Sequence, residues 1–262
     1  MNLQRAITAI NKSQISARET GFLGHITDAA LLSVTFLYLL CVLSLPLENP
    51  ERLIWFAAYP IVMSGLCNVN YTTIMKSSLY VLPFLLLIGM FNPIYDQREA
   101  FSVGSLTVTY GWLTFISIII RGLLTMQALL IMIRLSGFVG VCNTLKKFGV
   151  PKVMVVQLLF LHRYIIVLLQ EAQRMHLSVT ARGYGRKSFP IKIWTNFVGA
   201  LLLRSYERSK RVHMAMVARG FNGYIPLRKN QSITFSDVIF MSVWLGVFLS
   251  LYFINLSALM FV

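Results

Sequence analysis

Apolar positions along the chain come in runs, and the runs set the expected elements. Ala29 to Leu45 (AALLSVTFLYLLCVLSL) is almost unbroken and sits at the lower length limit for a membrane span. Pro46 and the acidic ENPE stretch end it. Leu53 to Leu66 is a shorter second run with Pro60 inside, which a membrane helix can carry as a kink. Polar Asn68 to Lys76 precedes a third run, Ser77 to Phe91, with Pro83 inside. Asn92 to Gly104 holds Asp96, Arg98 and Glu99 and reads as a loop, and the adjoining SVGSLTVTY can include a short strand. Tyr110 to Leu135 is a long apolar helix interrupted by Arg121, and Asp237 to Leu259 is the last span. About five membrane helices result.

Between the last two spans the pattern changes. Val139 to Phe148 suits one short helix stopped by Gly149. Pro151 suits the first position of a helix running to Arg182, about 48 Å at 1.5 Å per residue. Its first half, Val153 to Leu169, is apolar except for Gln157, His162 and Arg163 and could be mistaken for another span. Crossing the membrane would export its Arg-rich second half, so a helix along the membrane–cytoplasm boundary is expected. Tyr184 to Ser188 reads as a basic turn, with Ser188 as N-cap and Pro190 near the first position of a second helix, Ile191 to Arg219. The apolar stretch of that helix, Ile193 to Leu203, is too short to span. Arg204, Arg208 and Arg211 come next on one stripe, with Glu207 set to pair with Arg211. Gly220, Asn222, Gly223 and Pro226 close the region.

Composition agrees with this pattern. Hydrophobic content is 56% and mean hydropathy +0.68, above the range of soluble domains. The net charge of +15 is concentrated: Arg134 to Lys229 holds 17 Lys/Arg against Glu171 and Glu207, while the remainder is neutral. The positive-inside rule makes that block cytoplasmic. Alternating the spans then places the N-terminal segment inside and the C-terminus outside. The expected divisions are a cytoplasmic N-terminal segment (1–28), membrane helices one to four (29–135), a cytoplasmic domain (136–230) and the final span (231–262). Met1 to Thr20 lacks an apolar core and carries Arg5, Lys12 and Arg18, so no cleavable signal is expected. A membrane-embedded chain without aromatic–basic motifs argues against nucleic acid, and favours anionic headgroups or an acidic protein surface as partner.

One phrase occurs twice. Arg174 to Tyr184 reads RMHLSVTARGY and Arg211 to Phe221 reads RVHMAMVARGF, so Arg, His, Ala-Arg-Gly and an aromatic recur 37 residues apart. Each copy ends a helix at Gly, the preferred residue just past a helix C-terminus. A lone Arg there merely offsets the helix dipole, worth roughly 0.3–1 kcal/mol. Two matched copies argue instead that Arg182 and Arg219 have the same job.

Catalytic signatures do not emerge. The chain has no GxxxxGK[ST], HExxH or Gly-x-Ser-x-Gly. Cys41, Cys67 and Cys142 form no CxxC, and His25, His162, His176 and His213 lack companion ligands in the sequence, so neither a metal site nor a disulfide framework is expected. Arg121, inside a span, reads as a coupling residue or, more simply, as an Arg that snorkels or pairs within the bundle. No cofactor is expected, and the chain does not read as an enzyme.

The two stretches VPKVMVVQLLFLHRYIIVLLQEAQRMHLSVTARGYG and GALLLRSYERSKRVHMAMVARGFNG, flanked by spans in this number and order, resemble the transmembrane T component of energy-coupling factor (ECF) transporters. LLLRSYERSKRV and ARGFNG are closest to the cobalt/nickel CbiQ type. The resemblance implies an all-α integral membrane protein whose cytoplasmic coupling domain has two long crossing helices and a short one. It implies that Ala181, Arg182 and Gly183, and Ala218, Arg219 and Gly220, dock in grooves of two cytoplasmic ATP-binding cassette ATPases, with Arg174, Arg211, Tyr184 and Phe221 in support. A membrane-embedded S component would carry the metal ion, in the inner (plasma) membrane. A shared T component for vitamin-binding S proteins is the alternative within transport. An intramembrane enzyme or a lipid-binding scaffold are the alternatives outside it.

Overall fold

A computed structural model describes residues 26–47, 50–67, 70–96, 98–103, 106–183, 190–223 and 234–253. The chain is an all-α membrane protein with one small hairpin. In order it comprises α1 (Asp28–Ser44), α2 (Pro50–Phe56), α3 (Ala58–Leu66), α4 (Tyr71–Ser78), a 3₁₀ turn (Leu79–Val81), α5 (Leu82–Gly89), α6 (Asn92–Tyr95), β1 (Glu99–Val103), β2 (Leu106–Thr109), α7 (Tyr110–Lys147), α8 (Lys152–Arg182), α9 (Ile191–Ala218) and α10 (Phe235–Phe253). Among the described residues, four stretches are long and apolar enough to cross a membrane: Tyr71–Tyr95, Tyr110–Lys147, Lys152–Arg182 and Phe235–Phe253, with Asp28–Ser44 somewhat shorter.

The run Leu53 to Leu66 differs from expectation. It forms two short helices rather than one kinked span, because the chain turns at Ala57, whose N–H bonds Ile54 O at 3.0 Å. Pro60 then lies in the first turn of α3, where a missing N–H costs nothing. The polar stretch from Tyr71 to Lys76 is helical, and α4 buries Ile74 and Ser78 on one face. The expected strand is part of an antiparallel β1–β2 pair, with Phe101 opposite Val108 and Val103 opposite Leu106. Inside α7 the backbone leaves helical geometry at Gly137 (φ 63°, ψ 170°), dividing the long apolar helix from residues 138–147. Pro151 and Pro190 cap α8 and α9, one residue ahead of the expected first turn.

Two compact units result: residues 142–183 and 190–223 form one, and 26–141 with 234–253 form the other. The second unit is held by aromatics. Tyr38 of α1 stacks on Tyr59 of α3 at 4.4 Å and tilts against Phe248 of α10 at 5.5 Å, while Tyr59 meets the edge of Trp244 at 4.8 Å. Each buried hydroxyl is paired, as aromatic alcohols removed from water require. Tyr38 donates to Phe56 O (3.1 Å), and Tyr59 and Thr35 share a 3.0 Å bond.

Two charged side chains tie distant helix ends within this unit. Asp237, fully buried, accepts the Thr234 N–H with Oδ2 (2.8 Å) at its own helix start and the Thr27 N–H with Oδ1 (2.7 Å) at the start of α1. One carboxylate thus satisfies amides at two helix N-termini, where negative charge is favoured. Arg121 does the converse. Its guanidinium donates to Leu45 O at 2.6 Å, at the C-terminus of α1, and nearby Ser117 donates to Leu47 O at 2.5 Å. Arg121 therefore pairs within the bundle, at a carbonyl just past the last turn of α1.

The paired Ala-Arg-Gly helix ends

The repeated phrases end α8 and α9, which pack as an antiparallel pair. Phe160 meets Phe221 at 6.5 Å, Glu171 bonds Arg204 at 2.8 Å, and His176 faces Trp194 at 6.3 Å. As numbering rises on α8 it falls on α9. Arg219 consequently ends near Phe160, whereas Arg182 lies at the far end of the same helix. The helix from Phe160 to Arg182 spans about 33 Å at 1.5 Å per residue. The structure does not bring the two candidate Arg residues together; it holds them roughly 30 Å apart, at opposite ends of one pair.

Both ends are open to solvent: Ala181, Arg182, Ala218, Arg219 and Gly220 are exposed. Among the described residues, neither the Arg182 nor the Arg219 side chain has a hydrogen-bond or ion-pair partner. The supporting Arg residues differ. Arg174 pairs with Glu171 at 3.3 Å and Arg211 with Glu207 at 3.9 Å, each on its own helix. Such exposed pairs contribute about 0–1 kcal/mol. The guanidiniums at the tips are thus the uncommitted ones, permanently charged and offering a planar fork of donors that fits a carboxylate.

The two glycines terminate their helices differently. After α9, Gly220 takes the left-handed conformation (φ 80°), its N–H bonds Val217 O at 2.9 Å, and the Phe221 N–H bonds Met216 O at 3.0 Å. This is a complete Schellman motif, and the chain reverses at a residue that has no Cβ to clash. Gly183 keeps a negative φ (φ −81°, ψ 2°), its N–H shared between Val179 O and Thr180 O. Of the two glycines, Gly220 alone takes the left-handed conformation. Phe221 folds back onto α8, whereas Tyr184, its counterpart in the first copy, lies outside the described residues.

Sequence reasoning identified Glu171 only as one of two acids in the basic block. Its position between Arg174 and Arg204 makes it the polar clasp of the pair, a role that needs the antiparallel register to be seen. Beside the clasp lies an apolar groove of about 500 Å³ lined by Tyr164, Val167, Leu168, Leu202, Leu203 and Tyr206, with Arg208 at its edge. Among the described residues no group of three or more His, Cys, Asp or Glu converges to hold a metal ion, and His176 packs against Trp194 instead.

The CbiQ family, described as cobalt transport protein, matches residues 23–232, which include both helix ends and most of the chain. The chain belongs to the CbiQ cobalt transport family. It is therefore a membrane component of transport. An uncharacterised protein of Methanocaldococcus jannaschii is similar to this CbiQ-family chain, at 22% identity over 200 residues covering 72% of this chain and 68% of that protein.

Proposed function

We propose that this CbiQ-family chain is the transmembrane coupling subunit of an ATP-driven importer of the ECF type, taking up cobalt or nickel ions. In this reading α8 and α9 are coupling helices on the cytoplasmic side. Ala181, Arg182 and Gly183 dock in a groove of one ATP-binding cassette subunit, and Ala218, Arg219 and Gly220 dock in a second. A membrane-embedded S component binds the metal ion, and nucleotide hydrolysis belongs to the ATPases.

The observation that carries this reading is the pair of exposed, unpaired guanidiniums at opposite ends of one antiparallel helix pair. Two docking points held apart by a rigid helix fit two subunits of a dimer whose separation changes with nucleotide. When the ATPase subunits approach one another, the ends are displaced and the helices turn about the Glu171–Arg204 clasp. Coupling then requires that the S component contact the pair differently in the two states.

The test is Arg182→Glu together with Arg219→Glu. The expected result is loss of ATPase co-purification and of cobalt or nickel uptake, with the chain still inserted in the membrane. Assembly and uptake at wild-type level would sink the proposal. Single substitutions should be milder, since one end remains docked.

A further inference from the structure

The repeat contains a second match, on a different side of each helix. Counting back from the tips, Arg174, Leu177 and Ala181 fall at i, i+3 and i+7, and so do Arg211, Met214 and Ala218. At 3.6 residues per turn each set forms a single stripe. Leu177 and Met214 are large apolar side chains with 58% and 62% of their surface exposed, and the Ala at the end of each stripe is also exposed. The Arg at the head of each stripe is paired with a Glu of its own helix, Glu171 (shared with Arg204) or Glu207, and is less free than the Arg at the tip. Each stripe therefore sets a large exposed apolar side chain between a paired Arg and the Ala of the tip, inside a strongly basic block.

We infer that Leu177 and Met214 are apolar anchors for the ATPase subunits, each inserting into an apolar wall of the groove that receives the neighbouring Arg. This rests on the proposed docking of the two Arg ends and adds the shape of the acceptor. Around the helix axis Leu177 and Arg182 are about 140° apart, as are Met214 and Arg219. A flat surface could not touch both at once. A groove with an apolar flank and an acidic end can, and it would grip the helix end from two sides. Isolated exposed apolar residues need no explanation. These two stand at the same offset from two Ala-Arg-Gly ends, and both are large, apolar and more than half exposed. The two groups divide the labour. The desolvated anchor supplies most of the affinity, as central apolar contacts do at interfaces. The guanidinium selects the acidic partner and orients the end.

The experiment is co-expression of the full-length chain with tagged ATP-binding cassette subunits from the same genome, with the chain recovered through the ATPase tag. Leu177→Asp with Met214→Asp should lower recovery at least tenfold. Leu177→Ala with Met214→Ala should fall between that variant and wild type. Exchange of the two anchors, Leu177→Met with Met214→Leu, should recover as wild type. Because both positions are exposed, elution and thermal stability of each purified chain alone should not change. If the Asp variant is recovered like wild type while Arg182→Glu with Arg219→Glu is lost, the anchors are refuted and the docking reading stands. If the Arg variant is also recovered, both are refuted.

Discussion

The cluster of α1, α2, α3 and α10 and the α8–α9 pair are both helical and rich in apolar residues, yet they treat their large side chains in opposite ways. Around Tyr38, rings from α1, α2, α3 and α10 fill one another's gaps, and Tyr38, Phe56 and Phe248 are essentially without exposed surface. In α9 no residue is buried, and Leu202 and Leu203 keep 68% and 64% of their surface exposed. Exposed apolar surface on a membrane helix is met by lipid. On a helix that also carries Arg204, Arg208, Lys210 and Arg211 it needs another cover. One region packs its rings against one another, and the other leaves its large apolar side chains open.

The comparison is broken most directly at its most packed point. Tyr38→Ala removes the stack on Tyr59 and the bond to the Phe56 carbonyl, and truncations of this size cost about 3–5 kcal/mol. Thermal unfolding of the detergent-solubilised chain should show the largest loss for this variant. Asp237→Ala comes next, since it removes the carboxylate that accepts the buried Thr27 N–H, at about 1–3 kcal/mol for such a group. The same melts should place it clearly below wild type.

A smaller effect separates the two helix ends. Gly220→Ala puts a Cβ on a left-handed residue and should cost about 1–2 kcal/mol, whereas Gly183→Ala meets no such strain. Hydrogen exchange at the last turns of α8 and α9 would read the difference, and equal effects would show that the ends are built alike. Smallest of all, Leu202→Ala should stay within about 0.5 kcal/mol in the isolated chain. A melt resembling that of Tyr38→Ala would erase the distinction between the regions.

Much of the fold is legible in the sequence because helices are local. The run from Ala29 predicts α1 to within a residue at each end, and Arg121 does pair inside the bundle, the simpler of its two readings. The break at Ala57 is not legible because LIWFAAYPIV is apolar throughout, and nothing in that pattern marks where one short helix stops and another begins. The kink at Gly137, by contrast, falls between the expected helices Tyr110 to Leu135 and Val139 to Phe148, where Arg134, Ser136 and Gly137 interrupt the apolar run. Of the candidate site, the residues are legible from the repeat, but their termination is not. Ala-Arg-Gly is identical in both copies while the glycine conformations differ, so the triplet alone does not dictate how the chain leaves the helix. The neighbouring residues do differ, Tyr184-Gly185 after one triplet and Phe221-Asn222 after the other, and Phe221 is held against Phe160 of α8.

The sequence alone determined the helical runs, the concentration of positive charge and the matched offsets of Arg182 with Leu177 and of Arg219 with Met214. These depend on neighbours within a few turns, which periodicity records. Only the tertiary structure decided that Asp237 reaches Thr27, that Arg121 finds the carbonyl of Leu45, and that α8 and α9 run antiparallel with their Arg ends roughly 30 Å apart. Those outcomes join segments far apart along the chain. Which buried amide or carbonyl a charge will satisfy depends on what packing brings within about 3 Å, and no local pattern encodes it.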